Sequence, residues 1–355
     1  MIVPNVHCQW HPLQEVWVGS TYSSEYYRDI PNSKVRDFFQ KMAEETVEDL
    51  NGFAKVCEQY GAVVHRPKLD PRDSLMSHVS DRDQIGDSHR PPMQVRDAQI
   101  VANGKLYIGD NDHPAIRQLA KDTISDELIV DCFELNRENP LYLDRSIKLL
   151  DGYGAATVLK FGKEILVSAE QPFDFIPQFT RNIFGDGYDV IPISTNGHLD
   201  SKVSILNPNF LVYSWKVSKH FENFNGTKVI LDKNIIQTVM GYSDISTKYK
   251  GKYWVKEAEN NPDLSNWIDD YVIHWTNESS VTFFDLNLLS LDEKTIVVAS
   301  YNKDIYEQAK KHGIEVIHSP LRHRFFWDCG IHCCTLDIKR KGDLETYNLK
   351  GKGVC

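Results

Sequence analysis

The chain has 355 residues, of which 41% are hydrophobic and 25% are charged, a balance typical of globular proteins. Its formal charge of −10 argues against nucleic acid as a partner, because binding to phosphates requires a basic surface. No apolar run approaches the roughly 20 residues that span a bilayer, which argues against a membrane protein.

The predicted strands occur mainly as pairs joined by tight polar turns. A single strand at residues 13–19 matches half of such a pair. The clearest pair covers residues 97–109 and turns at Asn103-Gly104, a strong hairpin signal. Three further pairs are predicted at residues 158–167, 203–213 and 286–298.

Helical periodicity fills the sequence between these pairs. Residues 35–60 carry apolar side chains at close to 3.6-residue spacing, which predicts a long helix. Residues 173–184 are a weaker candidate. Residues 302–312 predict a short helix, ended by Gly313 before a strand at 314–317.

Polar residues lie a few positions before the turns of these strand pairs. They include Asp97, Asp151, the pair His198 and Asp200, and Ser280. If the pairs are related by rotation, matching positions converge on one axis. The sequence therefore predicts one shared site built from distant parts of the chain.

The most distinctive motif is Gly330-Ile331-His332-Cys333-Cys334 near the end of the sequence. Cys333 can be interpreted as a buried structural cysteine, as a metal ligand or as a nucleophile. Zinc usually requires a second ligand pair at recognisable spacing, and the sequence lacks one, so the nucleophile is favoured. On an extended segment, Cys334 would face away from Cys333.

Seven scattered cysteines, an odd number, favour reduced thiols over a disulfide framework. Residues 1–8 have neither the basic start nor the apolar stretch of a signal peptide. We therefore expect a cytoplasmic protein.

The phrase His198-Leu199-Asp200 follows a turn signal. In a strand, residues two apart face the same way, so His198 and Asp200 would point into one space. A thiol, an imidazole and carboxylates are the groups needed to attack the carbon of a guanidinium. The acids fix its charge, and a thiolate attacks while a histidine transfers protons.

With these motifs, the chain resembles the amidinotransferases, specifically the arginine:glycine branch of the guanidino-group-modifying superfamily. The resemblance runs nearly end to end, from residues 9–19 to residues 330–333 and 337–342. It implies an α/β fold, a five-bladed pseudo-symmetric α/β propeller (pentein) of repeated ββαβ-type modules. It also implies one domain over residues 1–355.

The resemblance implies catalytic roles for three residues. Cys333 takes the place of the nucleophile, His198 that of the general acid and base, and Asp151 that of the acid orienting the histidine.

It implies substrate binding for three more residues. Asp97 and Asp200 match the acids that grip the guanidinium, and Ser280 falls near a serine that contacts the amino-acid end of the substrate. Two positions depart from the family pattern: Thr157 replaces a second acid, and Val217 replaces an arginine.

The function implied is transfer of the amidino group of L-arginine to an amine acceptor, with glycine as the default. The reaction passes through an amidino-cysteine and releases ornithine, without a metal or an organic cofactor. The partners are these small molecules, and the oligomeric state stays open, with a homodimer among the alternatives. One alternative is a guanidino hydrolase of the arginine deiminase or dimethylarginine hydrolase type. A second is a non-catalytic pentein that binds a partner.

Overall fold

The computed structural model describes residues 1–79, 89–109, 113–132, 156–169, 183–195, 198–231, 261–276, 285–347 and 349. Within these ranges the strands form five three-stranded sheets. The strands are β1 (Leu13–Val18), β2 (Val63–His65), β3 (Gln99–Ala102), β4 (Lys105–Ile108), β5 (Ile129–Asp131), β6 (Val158–Phe161), β7 (Glu164–Ala169), β8 (Asp189–Ser194), β9 (Val203–Asn207), β10 (Phe210–Ser214), β11 (Thr227–Leu231), β12 (Leu289–Asp292), β13 (Thr295–Val298), β14 (Glu315–His318) and β15 (Thr335–Arg340).

All five sheets share one topology. Two strands pair antiparallel, and a third lies parallel to the second, as in β3-β4-β5, β6-β7-β8, β9-β10-β11 and β12-β13-β14. The β3–β4 turn is formed by Asn103 and Gly104, both with positive φ (48° and 71°), the conformation that a two-residue hairpin of this kind requires. The four predicted strand pairs are confirmed.

The fifth sheet joins the two ends of the described chain. Strand β1 pairs antiparallel with β15, with Val18 opposite Thr335, and parallel with β2. The predicted half-pair at residues 13–19 therefore has its partner more than 300 residues away, a pairing that no local turn signal specifies.

The helices in the described ranges are α1 (Ser33–Gln59), α2 (Pro114–Thr123), α3 (Pro262–Tyr271), α4 (Lys303–Lys311) and α5 (Arg324–Trp327). Helices α1, α2 and α4 connect the second and third strands of their sheets, whereas α3 lies between β11 and β12 and α5 lies between β14 and β15. Asn32 caps α1 by accepting from the backbone N–H of Lys34 and Val35. The predicted helices at 35–60 and 302–312 are confirmed as α1 and α4, and most of the candidate at 173–184 lies outside the described residues. No helix in the described ranges has the length and apolarity needed to cross a membrane.

Four hydrophobic clusters fill the spaces between sheets. One joins the sheet of β6 to that of β9, and another joins the sheet of β9 to that of β12. A third joins β12 and β13 to β1, and the fourth joins β1 and β15 to the sheets of β3 and β6. Each sheet is therefore packed against neighbours on both sides.

In four of the five sheets, a residue with a reactive or polar side chain lies just before the first strand of the sheet. Asp97, Asp200, Asn287 and Cys333 each lie two or three residues before β3, β9, β12 and β15, respectively. Equivalent positions in four sheets thus supply the side chains of one site.

Candidate active site

Cys333 lies in a tight turn rather than on an extended segment. The N–H of Cys334 donates to the carbonyl of Gly330 at 3.0 Å, and that of Thr335 donates to His332 at 3.1 Å. The expectation of an extended segment is therefore wrong. The two thiols nevertheless have different partners: Sγ of Cys334 donates to the carbonyl of Ile331 at 3.3 Å, whereas Sγ of Cys333 faces a carboxylate.

The predicted residues gather around the thiol of Cys333. Its Sγ lies 3.5 Å from Oδ2 of Asp200. One ligand atom each from Asp97, His198 and Cys333 all lie within 4.8 Å of one another. Four of the six predicted site residues therefore meet at one place, although they come from three separate segments.

His198 and Asp200 do not lie on a strand. They flank Leu199 in a short 3-10 turn (Leu199–Ser201), because the N–H groups of Leu199 and Asp200 both donate to the carbonyl of Ala156, at 2.8 and 3.2 Å. The strand prediction for this phrase is wrong. The turn still directs both side chains to the site, with His198 exposed by 44% and Asp200 by 2%.

Asp97 and His198 form an electrostatic pair at the open side of the site. Oδ1 of Asp97 lies 3.8 Å from Nδ1 of His198. Desolvation raises the pKa of Asp97 to about 6, an effect that His198 opposes and Asp200 reinforces. In return, the Asp97 carboxylate raises the pKa of His198 above its ordinary value, against the opposing effect of burial.

Asp200 is held by a second histidine that the sequence reasoning did not assign. Nδ1 of His332 lies 2.7 Å from Oδ2 of Asp200, and its Nε2 lies 3.2 Å from Nε2 of Gln9. Burial works to raise the pKa of Asp200, but the His332 hydrogen bond and nearby positive charge lower it overall. The signal available in sequence was the adjacency of His332 to Cys333.

A buried ionic network supports the turn that carries Cys333. Nε of Arg96 donates to the carbonyls of His332 and Thr335 at 2.9 and 2.8 Å. Asp337 accepts from Arg96 at 2.9 Å and from Arg340 at 2.8 Å. Burial works to raise the pKa of Asp337, but the two guanidiniums, with Arg340 the stronger influence, hold it well below its usual range.

Two carboxylate oxygens at the site lack hydrogen bonds. Oδ1 of Asp97 and Oδ1 of Asp200 are both buried, and neither has a hydrogen-bond partner among the described residues. Buried acceptors are normally satisfied, so two orphaned carboxylate oxygens beside one thiol point to a missing donor. A planar cation with several N–H groups has that chemistry.

Four further positions were singled out in the sequence, and none of them is among the residues that surround Cys333 in the described structure. Asp151 and Ser280 lie outside the described residues. Val217 is fully buried in the cluster between the sheets of β6 and β9, so its side chain belongs to the core. Thr157 is buried directly before β6.

A carboxylate, an imidazole and a thiol at this spacing are also ligand types that zinc accepts. This set consists of Asp97, His198 and Cys333. The thiols of Cys329 and Cys334 are fully buried and do not belong to this set.

The chain is similar to amidinotransferases over almost its whole length. It is 30% identical to the L-arginine:L-lysine amidinotransferase of Pseudomonas savastanoi pv. phaseolicola, over 95% of this chain and 89% of that protein. It is 22% identical to the mitochondrial glycine amidinotransferase of Gallus gallus, over 96% and 83% of the two chains. No protein-family model matches the chain.

Among solved structures, the inosamine-phosphate amidinotransferase of Streptomyces griseus has a similar fold. The two structures superpose with a TM-score of 0.60 at 19% identity, over 98% of this chain and 99% of the other. The five small sheets and their mixed α/β organisation are therefore shared with a protein of very different sequence.

Proposed function

This chain belongs to the amidinotransferase family, and on that premise we propose that it moves the amidino group of L-arginine to an amine acceptor through a covalent bond to Cys333. The observation that carries the proposal is the meeting of one thiol, one imidazole and two carboxylates, each with a buried oxygen that accepts no hydrogen bond from the described residues. These groups match the guanidinium in charge and in hydrogen-bonding capacity.

Substrate binding follows from the two open carboxylate oxygens. Asp97 and Asp200 approach the site from different sheets, so a guanidinium between them donates hydrogen bonds from two of its edges. This arrangement fixes the plane of the cation. The central carbon then faces the sulfur of Cys333, which lies beside Asp200.

Binding of the cation also activates the nucleophile. Burial, followed by the charges of Asp200 and Asp97, raises the pKa of the Cys333 thiol well above its ordinary value. A guanidinium between the acids offsets this negative charge and favours the thiolate. The reactive form of Cys333 is therefore produced mainly when the substrate is present.

In the first half-reaction, the thiolate forms a bond to the guanidinium carbon. The bond from that carbon to the side-chain nitrogen of arginine breaks, its electron pair stays on the nitrogen, and protonated His198 supplies the proton. Ornithine leaves, and Cys333 carries the amidino group. The raised pKa of His198 keeps it protonated for this step.

In the second half-reaction, the nitrogen of an amine acceptor attacks the amidino carbon. The acceptor loses a proton to neutral His198, the carbon–sulfur bond breaks, and its electron pair returns to Cys333 as a thiolate. One imidazole serves as acid and then as base because the second half reverses the first. Asp151, in the role that the resemblance implies, orients His198, and Ser280 contacts the amino-acid end of the substrate.

We also propose that the five sheets are blades arranged around a central axis, as in a five-bladed propeller. Support comes from the hydrophobic clusters, which join the sheet of β6 to that of β9, β9 to β12, and β12 to β1. The remaining cluster joins the sheet of β1 to those of β3 and β6, which closes the ring. In such a ring the positions before the first strands face the axis, where Cys333 and its partners meet.

Two amine acceptors are suggested, one by the sequence resemblance and one by a relative. Glycine is the acceptor implied by the sequence resemblance, and L-lysine is the one named for the relative at 30% identity. Because both carry a primary amine and a carboxylate, they belong in the same assay.

The test is mass spectrometry of protein incubated with arginine alone. We expect one amidino group on the peptide containing Cys333, about one equivalent of ornithine, and then no further turnover until an amine is added. Cys333→Ser is expected to lose the label, whereas the matched variant Cys334→Ser keeps it. Steady citrulline production without an amine would instead identify the enzyme as a guanidino hydrolase.

A further inference from the structure

Asn287 is a polar residue in an apolar stretch directly before β12. It is fully buried, and its neighbours Leu286 and Leu288 both belong to the cluster between the sheets of β9 and β12. A buried amide destabilises the fold unless its donors and acceptor are satisfied. The partners of Asn287 therefore indicate why this position is polar.

Both ends of the Asn287 amide bind the same residue, Cys333. Oδ1 accepts from the backbone N–H of Cys333 at 3.0 Å, and Nδ2 donates to its Sγ at 3.0 Å. The backbone N–H must face the amide oxygen, so the amide nitrogen necessarily faces the sulfur. This pair of bonds fixes both the position of the residue and the direction of its thiol.

The turn before Cys333 is fitted to this amide. A Cβ at Gly330 would lie 2.3 Å from Oδ1 of Asn287 and 2.6 Å from its Cγ, closer than atoms can approach. Glycine is therefore the residue that allows the turn and the amide to pack together. The packing of Asn287 therefore explains why the Gly330-Ile331-His332-Cys333 motif begins with glycine.

The amide also favours the charged form of the sulfur. Burial and the carboxylates of Asp200 and Asp97 act against ionisation of Cys333, whereas the hydrogen bond from Asn287 acts in its favour. An N–H donor stabilises a thiolate more than a thiol, because a hydrogen bond to an ionised acceptor is the stronger of the two.

We propose that Asn287 is a positioning residue that stabilises the thiolate form of the Cys333 sulfur and aims it at the guanidinium carbon, a role that rests on the function proposed above. When the sulfur bonds to carbon, it loses its negative charge and the hydrogen bond from Nδ2 weakens. When the acceptor displaces it, the thiolate returns to the same donor. Asn287 thus acts in both half-reactions without contacting the substrate.

The test is the pH dependence of Cys333 alkylation by iodoacetamide, followed by peptide mass spectrometry. In Asn287→Leu, which removes both bonds, we expect the midpoint to move upward by about one pH unit, the equivalent of a roughly tenfold change in the ionisation constant. Asn287→Asp keeps an acceptor for the Cys333 N–H but places a carboxylate beside the sulfur, so a larger upward shift is expected.

The matched control is Asn302→Leu. Asn302 is another mostly buried amide; it caps α4 and donates to Asp285, away from Cys333. Its loss is expected to lower thermal stability and leave the alkylation profile unchanged. If Asn287→Leu does not fold, Gly330→Ala displaces the same amide and is expected to raise the midpoint.

Identical midpoints in wild type, Asn287→Asp and Gly330→Ala would overturn the role of Asn287. Iodoacetamide requires no substrate, so this result is independent of the amidino donor. Absence of the arginine label together with shifted alkylation profiles would contradict the proposed function and support the role of Asn287. A normal label with unshifted profiles would contradict the role of Asn287 alone.

Discussion

Nδ1 of His332 lies 2.7 Å from Oδ2 of Asp200, and this hydrogen bond determines which oxygen of the carboxylate is left for a substrate. Both side chains are buried, so the bond is shielded from solvent. It gives Asp200 a pKa below its ordinary value, whereas Asp97 has its pKa raised to about 6. The two acids that face the site therefore differ in character: Asp200 stays ionised, and Asp97 titrates near neutral pH.

Removing either charge is expected to weaken arginine binding and chemistry. Asp97→Asn and Asp200→Asn keep the shape of the side chain but lose a charge-assisted hydrogen bond, so kcat/KM for arginine is expected to fall by about 10- to 100-fold. Steady-state kinetics measure this. Asp285→Asn, whose carboxylate binds Asn302 instead, is the control. Equal arginine affinity in both site variants and wild type would contradict the assignment.

The first half-reaction is expected to have a bell-shaped pH profile at arginine concentrations well below saturation, where the rate reports the ionisation of the free enzyme. Its rate rises as the pH increases through about 6, because Asp97 must be ionised, and falls on the alkaline side as His198 loses its proton. Because Asp97 and His198 interact, the two apparent pKa values of the profile belong to the pair and not to either residue alone. In Asp97→Asn the alkaline limb is expected to move to lower pH, because the charge that raises the pKa of His198 is gone. Single-turnover release of ornithine measures both limbs, and an unchanged profile in this variant would argue against the pairing.

The buried ionic network is expected to control stability. Asp337→Asn leaves the guanidiniums of Arg96 and Arg340 buried without their counter-charge, and the free energy of unfolding is expected to fall by about 3–5 kcal/mol. Urea unfolding at neutral pH measures the change. In wild type this contribution is present above the ordinary pKa range of aspartate and is lost as the pH falls through the lowered pKa of Asp337.

The control for this measurement is Asp70→Asn, because Asp70 pairs with Arg72 at the exposed surface. We expect its unfolding midpoint to match that of wild type. An Asp337→Asn variant as stable as the control would mean that the network contributes little to the fold.

Features encoded by neighbouring residues were predictable from the sequence. The Asn103-Gly104 turn fixes its hairpin because both positions adopt positive φ, and Gly313 ends α4 in the same way with a φ of 66°. The long amphipathic helix followed from its periodicity alone. Cys333, His198, Asp97 and Asp200 were named through motifs, and the structure brings all four together.

Features that depend on contacts between distant residues could not be predicted in this way. The 3-10 turn at Asp200 accompanies two hydrogen bonds to the carbonyl of Ala156, which lies just before β6 and far from Asp200 in sequence. The role of Asn287 has a faint local signal, one amide between Leu286 and Leu288. Its meaning appears only when Cys333, 46 positions away, is placed against it.

The pairing of β1 with β15 has a consequence for the order in which the protein is made. A ribosome delivers β1 more than 300 residues before β15, so the central strand of this sheet waits through the synthesis of the other four sheets before it gains an antiparallel partner. Cys333 arrives on the same late segment, directly before β15. A nascent chain that ends before this segment therefore has neither a closed first sheet nor the thiol around which the site is built.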